Sequence, residues 1–222
     1  MKIVLIYSGG MDSTTLLYQL RAEGHDVRCL SIDYGQRHRR ELDGAREICQ
    51  ALGVEQRVAD LTSVAPLLAG SALTSADVEV PEGHYEAENM KLTVVPNRNM
   101  LMLSVAIAWA VSTKCDAVAY AAHGGDHAIY PDCRPEFIQA MNVAAGLCDW
   151  HTVQILAPYQ QMDKGDIARI GTDLGVPYGK TWSCYKGLDK HCGRCGACNE
   201  RREAFALAGV PDPTEYADVS TD

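Results

Sequence analysis

Six residues near the start of the chain, Ser8-Gly9-Gly10-Met11-Asp12-Ser13, combine the groups that hold an anion. Adjacent glycines let backbone N–H groups turn toward a phosphate with no Cβ in the way. Ser8 and Ser13 add hydroxyl donors, and Thr14 follows directly. Asp12 repels phosphate, so its role is to cap a helix or to hold Mg²⁺. No lysine follows the glycines, which excludes the Gly-Lys-Ser/Thr loop whose lysine reaches the β- and γ-phosphates. A second group lies near the other end: Cys184, Cys192, Cys195 and Cys198, spaced C-x7-C-x2-C-x2-C. Four thiolates among glycine turns fit a tetrahedral Zn²⁺ with no position left for water, hence a structural site. An iron–sulfur cluster also takes four cysteines, and spacing alone does not separate the two.

A loop of this kind needs a strand before it and a helix after it. The apolar run Ile3 to Tyr7 reads as a buried strand, and Met11 to Ala22 reads as a helix whose N-terminus adds unpaired donors and partial positive charge. The alternation continues. Val27 to Asp33 is expected as a strand, Arg37 to Leu52 as a helix and Gln56 to Leu61 as a strand. Asp116 to Ala121 and Val153 to Leu156 are further strands, separated by a helix over Arg134 to Gly146. A helix over Met162 to Leu174 follows. Strands alternating with helices imply a parallel sheet covered on both faces, with ligands beyond the carboxyl ends of the strands. The loop at Ser8, the segment Asp33-Tyr34-Gly35 and the turn His123-Gly124-Gly125-Asp126 all fall at such ends. Residues 62–96 hold no sustained periodicity and are expected as a lid or substrate loop. The helix over Arg98 to Thr113 is apolar nearly all round, which predicts burial in the core or in a subunit interface.

At 222 residues the chain fits one domain with a small appendage. A net charge of −9 argues against a large nucleic-acid footprint, which needs a basic face. No apolar run is long enough to span a bilayer, and the residues before Ser8 are too few for a signal-peptide core. The chain therefore reads as cytoplasmic. There its odd count of nine cysteines argues against a disulfide framework.

The glycine loop resembles the pyrophosphate loop of the ATP pyrophosphatase superfamily, which implies adenylation of an acceptor oxygen. Further segments narrow the resemblance. Ser31-Ile32-Asp33-Tyr34-Gly35-Gln36-Arg37-His38, Val95-Pro96-Asn97-Arg98-Asn99, Tyr130-Pro131-Asp132-Cys133-Arg134-Pro135-Glu136-Phe137, Lys180-Thr181-Trp182-Ser183-Cys184-Tyr185 and the terminal Cys192 to Arg201 segment are similar to signatures of the 7-cyano-7-deazaguanine synthase family. One departure is visible: Ala128 and Ile129 stand where that family carries serine and glycine.

The resemblance implies an α/β fold. Residues 1–180 would form a parallel-sheet, adenine nucleotide alpha-hydrolase-like (Rossmann-like) domain, and residues 181–222 a small C-terminal zinc lobe and tail. It also implies a ligase that uses ATP with Mg²⁺ to convert 7-carboxy-7-deazaguanine and ammonia to the nitrile, as a homodimer. The loop residues Ser8, Gly9, Gly10, Met11, Asp12, Ser13 and Thr14 would hold the phosphates, and the backbone at Ile32 and Asp33 the adenosine. Arg98 and Arg134 would meet the α-phosphate or the substrate carboxylate, because a guanidinium matches both in bidentate fashion. Asn97, Asp132 and Cys133 would line the base pocket, and Lys180 would stabilise charge on the α-phosphate. Two other readings stay open: a tRNA thiolase-like adenylating enzyme, with Cys133 as nucleophile, and a non-catalytic nucleotide- and zinc-binding module. His123 and His127 are candidates for handling the protons of ammonia, or simply loop residues beside the pocket.

Overall fold

A computed structural model describes residues 1–217 apart from 38, 76 and 86. His38 of the second-strand segment and the last five residues of the expected C-terminal tail lie outside the described residues.

Five parallel strands form the centre: β1 (Lys2–Ile6), β2 (Asp26–Asp33), β3 (Gln56–Asp60), β4 (Ala117–Ala119) and β5 (Gln154–Leu156), in the order β3-β2-β1-β4-β5. Side chains alternate across each strand, so each face collects its own core. Val4, Leu30 and Val118 point to one face, with Leu103 and Ile107 of α3 (Arg98–Ser112) and Met141 of α4 (Pro135–Leu147). Ile3, Leu5, Cys29 and Ala119 point to the other. There they meet Leu16 of α1 (Met11–Ala22), Ile48 of α2 (Arg40–Leu52) and Ile167 of α5 (Lys164–Asp173). Burial on both faces explains why β1 and β4 read as continuous apolar runs, whereas the edge strand β3 keeps polar and exposed positions.

The strand order places a topological switch at β1. The chain runs from β1 to β2 and β3 on one side and returns to β4 and β5 on the other. The carboxyl ends of β1 and β4 therefore open a crevice, the place where such sheets bind ligands.

Among the described residues of 62–96 the helical elements are two 3₁₀ turns, Thr62–Leu68 and Glu88–Thr93, beside a single bridge of Glu82 to Cys195, yet the segment does not stand off the body. Leu68, Leu73, Tyr85, Met90 and Val95 join the α3 side of the core. α3 buries one face, while Met100 on another is 42% exposed. The C-terminal region holds a helix that the cysteine spacing had masked, α6 (Gly196–Ala208), whose N-cap is Cys195. It packs along α5, and Met11, Ala168, Tyr178, Ala204 and Phe205 form a small core joining α1, α5 and α6. The cysteine-bearing region is thus built against the helix that follows the glycine loop.

Candidate active site

The loop leaves β1 through a turn only glycine can make. Gly9 has φ +85°, and a Cβ there would lie 2.4 Å from the Glu41 carbonyl oxygen. Gly10 is extended and caps α1 with no side-chain acceptor, so the first-turn amides keep no side-chain partner among the described residues. The loop is braced from within. The Ser8 hydroxyl accepts from Gly10 N (3.1 Å) and lies 3.1 Å from the Ser13 hydroxyl, while the Thr14 hydroxyl donates to Gly10 O (2.7 Å). Thr14 is fully buried against the Tyr7 hydroxyl and acts as a brace, not as a cavity wall. From the far end of the chain, Trp182 N donates to Gly9 O (3.2 Å).

Below the loop lies a cavity of about 230 Å³. One end carries Ser8, Gly10, Asp12, Ser13 and Lys164; the other is walled by Arg98, Asn99, Tyr120 and Cys133. Tyr85 and Tyr185 contribute aromatic surface from the irregular segment and the cysteine region. Burial pushes the Cys133 thiol well above its usual range, with Asp126 adding to the effect. That opposes the thiolate a sulfur-transfer nucleophile needs. Burial also pushes the Glu41 carboxyl, on the same cavity, up to about 8, against a hydrogen bond from Gln36.

A buried charge network links the cavity to α6. The Lys164 ammonium pairs with Glu200 of α6 and lies 3.3 Å from Asp12 Oδ2. His123 Nε2 lies 3.7 Å from the second Glu200 oxygen and 3.6 Å from Asp126, whose carboxylate accepts from the Tyr85 hydroxyl at 3.0 Å. Burial opposes the charge on Lys164, but the Asp12 and Glu200 carboxylates outweigh it and hold the ammonium well above its usual range. The other carboxylate oxygen of Asp12 is buried without a hydrogen-bond partner among the described residues. An unpaired carboxylate oxygen beside the uncapped start of α1 fits a hard divalent cation such as Mg²⁺.

The residues singled out in the sequence divide in space. Met11, Ile32, Arg98 and Cys133 join Ser8, Gly10, Asp12 and Ser13 on the cavity wall. Gly9 shapes the turn from behind. Asp33 is turned away, accepting from Gly35 N (3.1 Å) and pairing with Arg39. Asp132 accepts from Asn99 N (3.2 Å) in the first turn of α3, and Asn97 is that helix's exposed N-cap at φ 55°. Arg134 is exposed, its Nε donating to His127 O at 2.9 Å. Lys180 is 60% exposed and lies 3.9 Å from Glu47, whereas Lys164 is 13% exposed inside the cavity. Ile129, at the family departure, is packed in the apolar core rather than on the cavity. Lys164, Asn99, Tyr120 and Glu200 were not foreseen. Asn99 was quoted in a motif and given no role. Glu200 likewise lies inside the quoted Cys192 to Arg201 segment and was given no role, while Lys164 and Tyr120 sit in ordinary helix and strand contexts.

The four cysteines are buried, and their sulfurs lie within 4.8 Å of one another. Tetrahedral Zn–S bonds of about 2.3 Å put sulfurs about 3.8 Å apart, and Cys192 and Cys198 sulfurs are at 3.9 Å. A cluster with several irons between the thiolates would hold them farther apart, so the cage fits one ion. Backbone amides support it: Cys192 N donates to Cys184 Sγ (3.4 Å), and Cys195 N to Cys192 Sγ (3.3 Å). His191 is not a ligand. Its Nε2 accepts from Ser183 N (3.1 Å), and its ring stacks on Trp182 at 4.3 Å.

The family described as Queuosine biosynthesis protein QueC matches residues 2–209 of the chain. A 7-cyano-7-deazaguanine synthase of Marinobacter nauticus is 56% identical over 214 residues, 96% of this chain and 96% of that protein. One from Methanoregula boonei is 54% identical, across 97% of this chain and 99% of that protein. Among solved structures, NMN synthetase from Francisella tularensis superposes with a TM-score of 0.53 at 15% identity, covering 94% of this chain and 77% of that one. A 4-thiouridine synthetase in complex with RNA and bound ATP gives 0.53 at 15% identity, covering 94% and 50%. The structural likenesses bear on the fold alone, and that fold is the Rossmann-like parallel sheet expected from the sequence.

Proposed function

The chain belongs to the QueC family of queuosine biosynthesis proteins, and we propose that its cavity joins 7-carboxy-7-deazaguanine to ammonia, at the expense of ATP, to give 7-cyano-7-deazaguanine. The observation that carries this reading is one shared wall. A lysine-free phosphate loop opens directly onto a cavity that reaches inward to Arg98. Triphosphate and carboxylate can therefore meet there.

The chemistry explains the arrangement. A carboxylate oxygen is a poor leaving group, so it attacks the α-phosphate of ATP, and pyrophosphate departs. Ammonia then displaces AMP and loses a proton, leaving the amide. The amide oxygen must also leave. It takes AMP from a second ATP, releasing pyrophosphate and one of the two nitrogen protons, and loss of that AMP with the remaining proton gives the nitrile. One loop serves both rounds. The amides and hydroxyls at Ser8, Gly9, Gly10 and Ser13 hold the β- and γ-phosphates. Arg98 grips the substrate carboxylate, and Asn99 and Cys133 lie along the base. The Lys164 ammonium is placed to meet charge that develops on the α-phosphate. Arg134 and Lys180 face solvent and are assigned no step. Asp12 would hold Mg²⁺, which neutralises charge on the departing pyrophosphate.

The four cysteines hold one structural Zn²⁺ in this reading. The enzyme works in the cytoplasm, and no direct nucleic-acid contact is needed. It acts as a homodimer: Leu147 at the end of α4 and Trp150 three residues beyond are large apolar side chains 82% and 101% exposed, of the kind a second copy covers. Light scattering at twice the chain mass checks that part. The experiment for the chemistry is Asp12→Ala. AMP formation disappears while fold and metal content persist; retained turnover would remove Asp12 and its cation from the mechanism.

A further inference from the structure

Asp12 faces two competing cations. A divalent ion on the triphosphate needs its carboxylate, and the Lys164 ammonium is 3.3 Å away. Left alone, that lysine would neutralise Asp12 and occupy the ion's place. Glu200 changes the balance. Its Oε2 makes the closer contact with Lys164, and the ammonium also faces the Tyr85 ring, 5.5 Å from its centre. Asp12 is left with one loose contact and one oxygen without a partner among the described residues.

Glu200 has few ways to move. It sits in the second turn of α6, two residues beyond Cys198 in a helix capped by Cys195. Its other oxygen faces His123 at 3.7 Å. Arg201, the next residue, is fully buried and donates to Tyr178 O (2.8 Å), Thr181 Oγ1 (2.9 Å) and Ser183 Oγ (3.1 Å). The cysteine cage thus fixes the height of a carboxylate at the phosphate loop.

We infer that Glu200 is a positioning residue: it draws the Lys164 ammonium off Asp12, so that Asp12 can serve the nucleotide-bound divalent ion. The inference rests on the reading of the glycine loop as an ATP site. It does not depend on which acid is activated.

The test uses Mn²⁺ as the probe, measured by electron paramagnetic resonance with ATP and the full-length, metal-replete protein, without any acid substrate. Glu200→Gln keeps the shape of the side chain and removes its charge. Lys164 then settles on Asp12, and the dissociation constant for Mn²⁺ rises about tenfold, which is about 1.4 kcal/mol. Lys164→Met acts in the opposite sense: Mn²⁺ binds more tightly, although turnover falls. Glu200→Asp, which retains the charge, recovers part of the loss. A purely structural glutamate would give no such opposition. Equal Mn²⁺ affinity in wild type and E200Q overturns the inference. Should E200Q not fold, unchanged or weaker affinity in K164M overturns it instead. Wild-type protein that binds no Mn²⁺ with ATP refutes the ATP-site reading, and this inference with it.

Discussion

Replacing Arg201 should expose how strongly the cysteine-bearing helix holds the phosphate loop. Its guanidinium is fully buried and makes four hydrogen bonds: to Thr214 Oγ1 (2.6 Å), Thr181 Oγ1 (2.9 Å), Ser183 Oγ (3.1 Å) and Tyr178 O (2.8 Å). Asp212 stands 4.0 Å away as its counter-charge, and the Phe205 ring centre lies at 5.4 Å. Burial disfavours this charge and pulls the guanidinium below its usual range, with Asp212 opposing. Arg201→Met keeps most of the volume but removes the counter-charge of Asp212 and one donor from each of the four acceptors, leaving Tyr178 O with Thr181 alone and Asp212 with Thr214 N and the Tyr216 hydroxyl. Breaking a buried ion pair from one side costs about 3–5 kcal/mol. For a chain of this size each kcal/mol lowers Tm by about 2–4 °C, so R201M should melt about 6–20 °C below wild type. Arg201→Lys keeps the charge, cannot fork to four acceptors, and should fall between the two. The second consequence is local. Thr181 and Ser183 flank Trp182, whose amide secures Gly9. ATP affinity should therefore drop in both variants, in the same order as stability. The assay pairs calorimetry with ATP titration. A Tm within about 2 °C of wild type for R201M would mean that Arg201 does not hold the two parts together, because four charge-assisted bonds cannot vanish from the interior without effect.

Gly9→Ala forces a side chain into positive φ and against the Glu41 carbonyl; a loss of about 3 kcal/mol and of ATP binding is expected by chemical denaturation and titration. Glu41 supplies a pH test. The folded chain keeps its proton up to about 8, whereas the unfolded chain releases it near 4.5. Between those values the folded state binds more protons, so stability falls as pH rises, by up to on the order of 5 kcal/mol. Glu41→Gln should flatten that fall and be the more stable form at pH 8 in urea melts; a slope equal to wild type contradicts this origin. Removing the metal with a strong chelator should melt α6 and abolish AMP formation, both returning with Zn²⁺. Turnover in metal-free protein would separate the cage from the active site.

The parts of the site legible in the sequence are those that depend on neighbours along the chain. The glycine turn, the start of α1 and the cysteine cage each need only a few consecutive residues of particular types. Their alternation with apolar strands also revealed the parallel sheet. Lys164 was hidden in an unremarkable helix and Glu200 between cysteine-segment residues that drew the attention, and the two meet only through the packing of α6 on α5. Lys180 drew attention by standing in a family-like segment, but its chain position says nothing of Glu47 across the surface. α6 itself was masked: Cys-Gly-x-Cys-Gly reads as turns, although Ala197 to Ala208 carries ordinary helix formers before Gly209 ends the helix at φ 70°. The irregular segment before α3 was correctly read as lacking long elements, yet its Tyr85 reaches the cavity through contacts no periodicity announces.

In the proposed reaction one cavity adenylates two oxygens that the same carbon carries in turn. The most direct test of this is mass spectrometry of the products after mixing the purified protein with 7-carboxy-7-deazaguanine, ATP, Mg²⁺ and ammonium, with AMP counted against nitrile. The expected product is 7-cyano-7-deazaguanine, with two AMP released for each nitrile and the amide as a passing intermediate. ADP in place of AMP, or no conversion of the acid by zinc-replete protein, would contradict the proposed reaction.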